Sequence, residues 1–194
     1  MSPKPSRPRT ANSKNQLRII GGQWRGRKLD FPDVEGLRPS GDRVRETLFN
    51  WLSFHLPGAR CLDLFAGSGA LGLEALSRGA AHTVLVEKNP TAARQLQSHC
   101  QTLGADAKVL ATDALAWLKT SSASPFDVVF LDPPFGKELL ESCYQLLTDH
   151  GWLTSNALVY VECGANEHNP APNNWELHRE KHSGQVVYRL YRCG

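Results

Sequence analysis

Between Phe126 and Gly136 the chain reads Phe-Asp-Val-Val-Phe-Leu-Asp-Pro-Pro-Phe-Gly. Val128 to Leu131 is uncharged and rich in branched and aromatic side chains, the composition of a strand buried on both faces of a parallel sheet. Asp132 follows it. Pro133 and Pro134 then stop the strand, because neither can donate a ladder hydrogen bond. Phe135 comes next, an apolar ring on a turn. A carboxylate, a stiffened backbone and an aromatic ring therefore meet at the carboxyl edge of a buried strand, where open α/β sheets bind ligands. The chemistry these residues suit is specific. The exocyclic amine of a nucleobase is a poor nucleophile because its lone pair is conjugated with the ring. Asp132 and the Pro133 carbonyl, accepting its two N–H bonds, would turn that lone pair toward an electrophile, with Phe135 stacked on the base. The plain alternative is a strand and a Pro-Pro turn, with Asp132 capping the next helix.

Three more acids recur at strand ends. Asp63 lies in the strand Cys61–Phe65, Glu87 ends the strand Thr83–Val86, and Asp113 follows the strand Lys108–Leu110. Between the first two, Ala66 to Gly72 is a glycine-rich turn opening a helix. Its Gly67-x-Gly69-x-x-Gly72 spacing matches the dinucleotide fingerprint, and Glu87 stands twenty residues after Gly67, so a nicotinamide enzyme has to be weighed. Two details oppose it. Asp63 sits where nicotinamide-binding strands are apolar, and a dehydrogenase gives no role to Asp113 or to the Asp-Pro-Pro-Phe run. S-adenosylmethionine fits better. Asp63 and the glycine turn can hold its amino-acid end, with backbone N–H groups donating to its carboxylate. Glu87 can accept from the ribose hydroxyls and Asp113 from the adenine amine.

The elements that must position these residues follow from pattern. Alternating strands and helices from Arg60 to Val161 give a mostly parallel, doubly wound sheet. Pro90 to Leu103 reads as a helix with proline in its first turn. Trp175–Glu180, a Ser183-Gly184 turn and Val186–Tyr191 read as an antiparallel hairpin closing one sheet edge. Upstream, a helix is expected from about Asp42 to Phe54, with Asp42 as N-cap and Val44, Leu48, Trp51 and Leu52 as its buried stripe. Leu17–Ile20 and Arg27–Phe31 suggest a small hairpin. Residues 1–16, poor in large apolar side chains, are expected to be a disordered basic tail. The expected division is thus a tail over 1–16, a hairpin extension over 17–36 and a catalytic domain over 37–194.

Charge is unevenly spread. Residues 1–45 hold 11 Lys/Arg against 4 Asp/Glu, whereas residues 46–194 hold 11 against 15. That asymmetry points to a polyanionic partner on one side of the molecule. In the hairpin, Arg18, Arg25 and Arg27 are interleaved with Trp24 and glycines, a pattern suited to RNA phosphates and bases. Arg38, Arg43 and Arg45 cluster near the start of the Asp42 helix, the end where the helix dipole disfavours cations. No apolar run approaches the ~20 residues of a membrane-crossing helix. The first sixteen residues lack the core of a signal peptide. The five cysteines are scattered, without a Cys-x-x-Cys pair, so neither disulfides nor a zinc site is expected and the cytoplasm is the expected compartment.

Asp63-Leu-Phe-Ala-Gly-Ser-Gly-Ala-Leu-Gly72 together with Asp132-Pro-Pro-Phe135 resembles class I methyltransferases that act on exocyclic nucleobase amines. Arg18-Ile-Ile-Gly-Gly-Gln-Trp-Arg-Gly-Arg-Lys-Leu29 and Leu37-Arg-Pro-Ser-Gly-Asp-Arg-Val-Arg-Glu-Thr-Leu-Phe-Asn50 resemble the bacterial RsmD family, the small-subunit ribosomal RNA guanine-N2 methyltransferases. The resemblance runs from about Leu17 to the C-terminal hairpin. Ser40 stands where that family usually has threonine, which keeps the hydroxyl. The resemblance implies a seven-stranded methyltransferase fold with a β-hairpin extension. It implies S-adenosylmethionine as donor, S-adenosylhomocysteine as product, and one guanine of 16S rRNA as target, in the 30S subunit or a late assembly particle. By the same carry-over, the cofactor would be held by Asp63, Phe65, Ala66, Gly67, Ser68, Gly69, Glu87, Lys88, Asp113, Ala114 and Asp132. Asp132, Pro133 and Phe135 would engage the base, and Arg18, Arg25, Arg27, Arg38, Arg43 and Arg45 the RNA. For Arg45 a pairing with Glu46 or a buried acid is the alternative, as an internal ion pair is for Arg38. A monomer is expected. Adenine-N6 and glutamine-N5 methyltransferases share the fold and a related tetrapeptide but not the basic N-terminal part.

Overall fold

The computed structural model describes residues 15–33, 41–120, 124–134, 139–167 and 170–194. The tail before Asn15, Arg38 and Ser40 with their turn, the start of the 121–125 loop, and Phe135 with Gly136 lie outside the described residues.

β1 (Asn15–Arg18) and β2 (Lys28–Phe31) form an antiparallel pair, with Leu17 opposite Leu29. After α1 (Asp42–Trp51) come β3 (Arg60–Asp63), α2 (Gly72–Ser77), β4 (His82–Glu87), α3 (Pro90–Leu103) and β5 (Ala107–Ala111). Then follow α4 (Ala114–Leu118), β6 (Phe126–Leu131), α5 (Leu139–Asp149), β7 (Leu153–Gly164), β8 (Trp175–Ser183) and β9 (Val186–Cys193). The large sheet has the order β5-β4-β3-β6-β7-β9-β8. Its first five strands pair in parallel, and β9 pairs antiparallel with both β7 and β8. The chain winds outward from β3 to β5, then returns to β6 on the other side of β3. The reversal opens a crevice at the carboxyl ends of β3 and β6, the position at which doubly wound sheets take their ligands.

Alternation along the strands divides the core in two. Cys61, Leu85, Val128, Phe130 and Tyr160 face α1, α2, α3 and the small hairpin, while Leu62, Val84, Val129, Leu131 and Val161 face α4 and α5. The hairpin is part of the first core: Leu17, Ile19, Leu29 and Phe31 are buried in it. Its attachment is largely through backbone. Gln23 N–H donates to the Ser77 carbonyl at 2.8 Å, Trp24 N–H to Ser77 Oγ at 3.0 Å, and Ser77 Oγ to the Gly21 carbonyl at 2.6 Å. Gly22 has φ 74°, and a Cβ there would lie 1.8 Å from the Ser77 carbonyl oxygen. Only glycine allows the hairpin to approach α2 so closely.

Two element expectations need correction. Asp42 is not the N-cap of α1; Gly41 holds that position without a side-chain bond, and Asp42 sits in the first turn, paired with Arg45. The last strand of the alternating region, read from the sequence as Leu158–Val161, is β7 and runs for 12 residues. Its first half is polar at Ser155 and Asn156, Asn156 has φ 63°, and the register against β6 shifts between Phe126 and Val128. An irregular strand of this kind lacks the alternation by which a strand is read.

Candidate active site

Asp63 is the last residue of β3 and only 1% exposed. Its Oδ2 accepts from Gly72 N–H at 2.9 Å, across the whole glycine turn. Burial pushes its pKa up to about 7, against the pull of the Gly72 and Phe65 backbone N–H groups and with a further push from the Glu87 charge. No ion pair among the described residues reaches this carboxylate.

The turn is tight because Gly69 N–H returns to the Ala66 carbonyl at 2.7 Å, with Gly67 at φ 52° and Gly69 at φ 84°. Phe65 is half-buried; Ala66 and Ser68 are buried, and Ala66 N–H is bonded to the Val86 carbonyl. Gly72 serves packing: a Cβ there would stand 2.2 Å from Leu85 Cδ2. This explains the dinucleotide-like spacing, since both families of site need a helix set close on a strand.

Glu87 is half-buried at the end of β4. Its Oε2 accepts from Gly67 N–H at 2.9 Å and its Oε1 from Asn89 N–H at 2.6 Å. Each oxygen keeps a second lone pair for a ligand hydroxyl. Two N–H groups of the glycine turn, those of Gly67 and Gly72, are thus given to two carboxylates. A pyrophosphate here would face Asp63 and Glu87, whereas a ligand bearing an ammonium and a ribose diol would satisfy them. The donor set therefore fits S-adenosylmethionine and not a nicotinamide dinucleotide.

Asp113 N-caps α4, its Oδ1 accepting from Ala116 N–H at 3.0 Å and its Oδ2 from Lys88 Nζ at 3.1 Å. Those bonds, the Ala116 one foremost, hold its carboxyl below the usual range. Ala114 is buried at the first position of this helix, where a backbone N–H has no intrahelical partner.

Across the crevice, Asp132 follows β6 and is half-buried, Pro133 is buried and Pro134 exposed. Helix α5 is described from Leu139 onward, seven residues after Asp132. Its strand pairs with β3, Phe130 opposite Asp63, which brings Asp132 to the same sheet edge as the cofactor acids. The position of Phe135 lies outside the described residues.

Arg18, Arg25, Arg27 and Arg43 are exposed. Arg45 is not: at 1% exposure it points inward, donates to the Arg18 carbonyl at 3.0 Å and to Asp42, and lies 3.7 Å from Glu74. It leaves the RNA-facing set for the physical reason that its charge is spent in the core. Glu74, fully buried, also accepts from Ile20 N–H at 2.9 Å and Arg78 Nε at 2.7 Å. Arg78 in turn lies over the Phe49 ring. Trp24 is packed partly against the core, leaving only some of its ring for stacking. Glu74 was not singled out from sequence, although an acid inside the apolar run Ala70–Leu76 was a signal. Nor was Glu162, buried at the end of β7 beside Asp132. It lies where β7 runs past the end of its pairing with β6, so it reaches the same sheet edge as Asp63 and Glu87 although its own strand continues to Gly164.

The sheet order and the acids along its carboxyl edge define a class I methyltransferase. The family model described as "Conserved hypothetical protein 95" matches residues 17–192. A protein of Escherichia coli strain K12 named "Ribosomal RNA small subunit methyltransferase D" is 54% identical over 93% of this chain and 92% of its own length. The solved structure "Putative methyltransferase yhhF" from Escherichia coli is 52% identical, with a TM-score of 0.86 over 92% of this chain and 98% of that one. At 14% identity, the structure of SMU.776 complexed with SAH shares the fold, with a TM-score of 0.70 over 95% of this chain and 57% of that one. The chain belongs to the family of ribosomal RNA small subunit methyltransferase D.

Proposed function

We propose that the protein methylates the exocyclic N2 of one guanine in the 16S rRNA of the small ribosomal subunit, with S-adenosylmethionine as donor. The observation that carries this reading is the placement of Asp132 and Pro133 at the carboxyl end of β6, beside the edge formed by Asp63, the glycine turn and Glu87. Asp63 would take the ammonium, Glu87 the ribose hydroxyls, and Asp113 with the Ala114 N–H the adenine. Bound there, S-adenosylmethionine supplies a methyl group on a sulfonium, an electrophile that needs no acid to activate it. The protein's own part is positional. The target guanine, unstacked from its RNA, lies against Phe135. Asp132 and the Pro133 carbonyl accept from N2 and direct its lone pair at the methyl. Holding the reacting atoms in line inside a dry site supplies most of the acceleration. Asp132 need not be a strong base, because the amine becomes acidic as it is alkylated and its proton leaves late, to Asp132 or to water.

The exposed Arg18, Arg25, Arg27 and Arg43 are offered to RNA phosphates, and Arg38 joins them on the strength of the sequence. The substrate is RNA within the 30S subunit or a late assembly particle, and the enzyme acts as a cytoplasmic monomer.

The test is methyl transfer from labelled S-adenosylmethionine to naked 16S rRNA and to 30S subunits from cells lacking the enzyme, followed by nucleoside analysis. N2-methylguanosine is the expected product. Label in N6-methyladenosine, or in protein glutamine, would overturn the guanine reading while keeping the fold.

A further inference from the structure

Leu131 of β6 pairs with Val161 of β7 in parallel register. Asp132 is the first residue past the end of β6 and Glu162 the next residue of β7, strands whose spacing is about 4.8 Å. Phe130 and Tyr160 lie in the core beneath α1, and Leu131 and Val161 in the opposite one, so alternation returns Asp132 and Glu162 to the α1 face. Glu162 is 6% exposed and Tyr160 fully buried. The Tyr160 hydroxyl donates to Glu162 Oε2 at 2.8 Å. Burial first, then the charges of Glu162 and of Asp132, push the pKa of that phenol well up. Burying a carboxylate is costly. The transfer derived above has no use for this one.

Guanine offers two adjacent donors on its Watson–Crick edge, N2–H and N1–H. Adenine and 2,6-diaminopurine carry a lone pair at N1 instead. We infer that Glu162, held by Tyr160, is the residue that selects guanine, accepting from N1–H while Asp132 and the Pro133 carbonyl engage N2. A base with a lone pair at N1 would set that lone pair against the carboxylate and be refused. Tyr160 is a positioning residue, fixing the carboxylate rotamer. This rests on the guanine-N2 reading above.

The test uses 30S particles rebuilt on ligated 16S rRNA in which the target nucleotide is guanosine or 2,6-diaminopurine riboside; both carry the N2 amine. The full-length wild type, Glu162→Gln and Tyr160→Phe are compared by kcat/KM, with S-adenosylmethionine affinity and unfolding midpoint as controls. Wild type should prefer guanosine by about 10⁴-fold, the scale at which a site built for an N–H donor rejects an analogue without it. Glu162→Gln should lower the guanosine rate by about 10²-fold and reduce the preference to within about tenfold, because a glutamine amide can donate to N1. Tyr160→Phe should lose about tenfold of the preference, one hydrogen bond to a charged group being at stake. Equal loss on both substrates in Glu162→Gln would make the residue a structural prop and overturn the inference. So would a wild type indifferent to the two bases, a result that needs no variant to fold. If wild type forms N2-methylguanosine and only the preference fails to move, the role of Glu162 fails alone. If no N2-methylguanosine forms, the reading beneath it fails as well.

Discussion

The two sides of the crevice are held by different means. On the proposed cofactor side the polar atoms are fixed by backbone no more than twenty residues away: Asp63 by Gly72, Glu87 by Gly67 and Asn89, Asp113 by Ala116. On the target side they depend on segments far apart. Asp132 and Glu162 each follow the last paired residues of β6 and β7, Leu131 and Val161, and the basic surface is set by Glu74, which ties Ile20, Arg45 and Arg78 together. The difference teaches that a small ligand of constant shape can be held by a short, self-contained turn. A base presented on a large RNA needs its reading groups and its docking surface fixed to one rigid frame. The hairpin's burial in the same core as α1 and its backbone bonds to α2 provide that frame.

The largest expected effect separates the two sides outright. Asp132→Ala should lower methyl transfer by about 10³-fold or more, the scale of lost proton handling and orientation together. S-adenosylmethionine binding, measured calorimetrically, should persist; equal loss of binding would move Asp132 to the cofactor side. Next comes Glu74→Ala, which removes the buried acceptor of Ile20 N–H and Arg78 Nε and leaves Arg45 with Asp42 as its one ion-pair partner among the described residues. A buried pair broken in this way costs about 3–5 kcal/mol, to be read as a shift in denaturant midpoint. An unchanged midpoint would mean that the hairpin is not anchored through this acid.

Asp63 gives a smaller, pH-dependent effect. Its pKa in the fold, about 7, is raised above its ordinary 3.8 by burial. Between these values the native state holds more protons than the unfolded one. This residue's contribution therefore favours the fold most at acid pH and is lost as pH rises through about 7. The cofactor-free protein should show that slope, and Asp63→Asn should remove it. An ammonium ligand favours the ionised form, so binding should release a proton below about pH 7, visible as a buffer-dependent heat. Smallest in energy is the double change Arg25→Ala and Arg27→Ala. Stability should stay within about 0.5 kcal/mol, both side chains being exposed. RNA affinity should fall and its dependence on log salt should flatten by about two charges' worth. An unaltered slope would take the RNA away from the hairpin.

Legibility followed the same division. The parallel strands, the helix Pro90–Leu103 and the acids at 63, 87 and 113 were readable because alternation, helix period and glycine turns are local signals, and local backbone bonds hold those acids. Arg45 was misplaced because a charged residue gives no sign in sequence of a partner 29 positions away in the core. Glu162 was passed over because its meaning comes from the neighbour that β6 supplies, not from its own strand. Sequence alone determined the fold class, the glycine turn and the family, since these rest on short-range geometry and on motifs contiguous in the chain. Which arginines face outward, and which second carboxylate stands beside Asp132, was decided only by tertiary structure. Strand register and helix packing bring together residues that no local pattern connects.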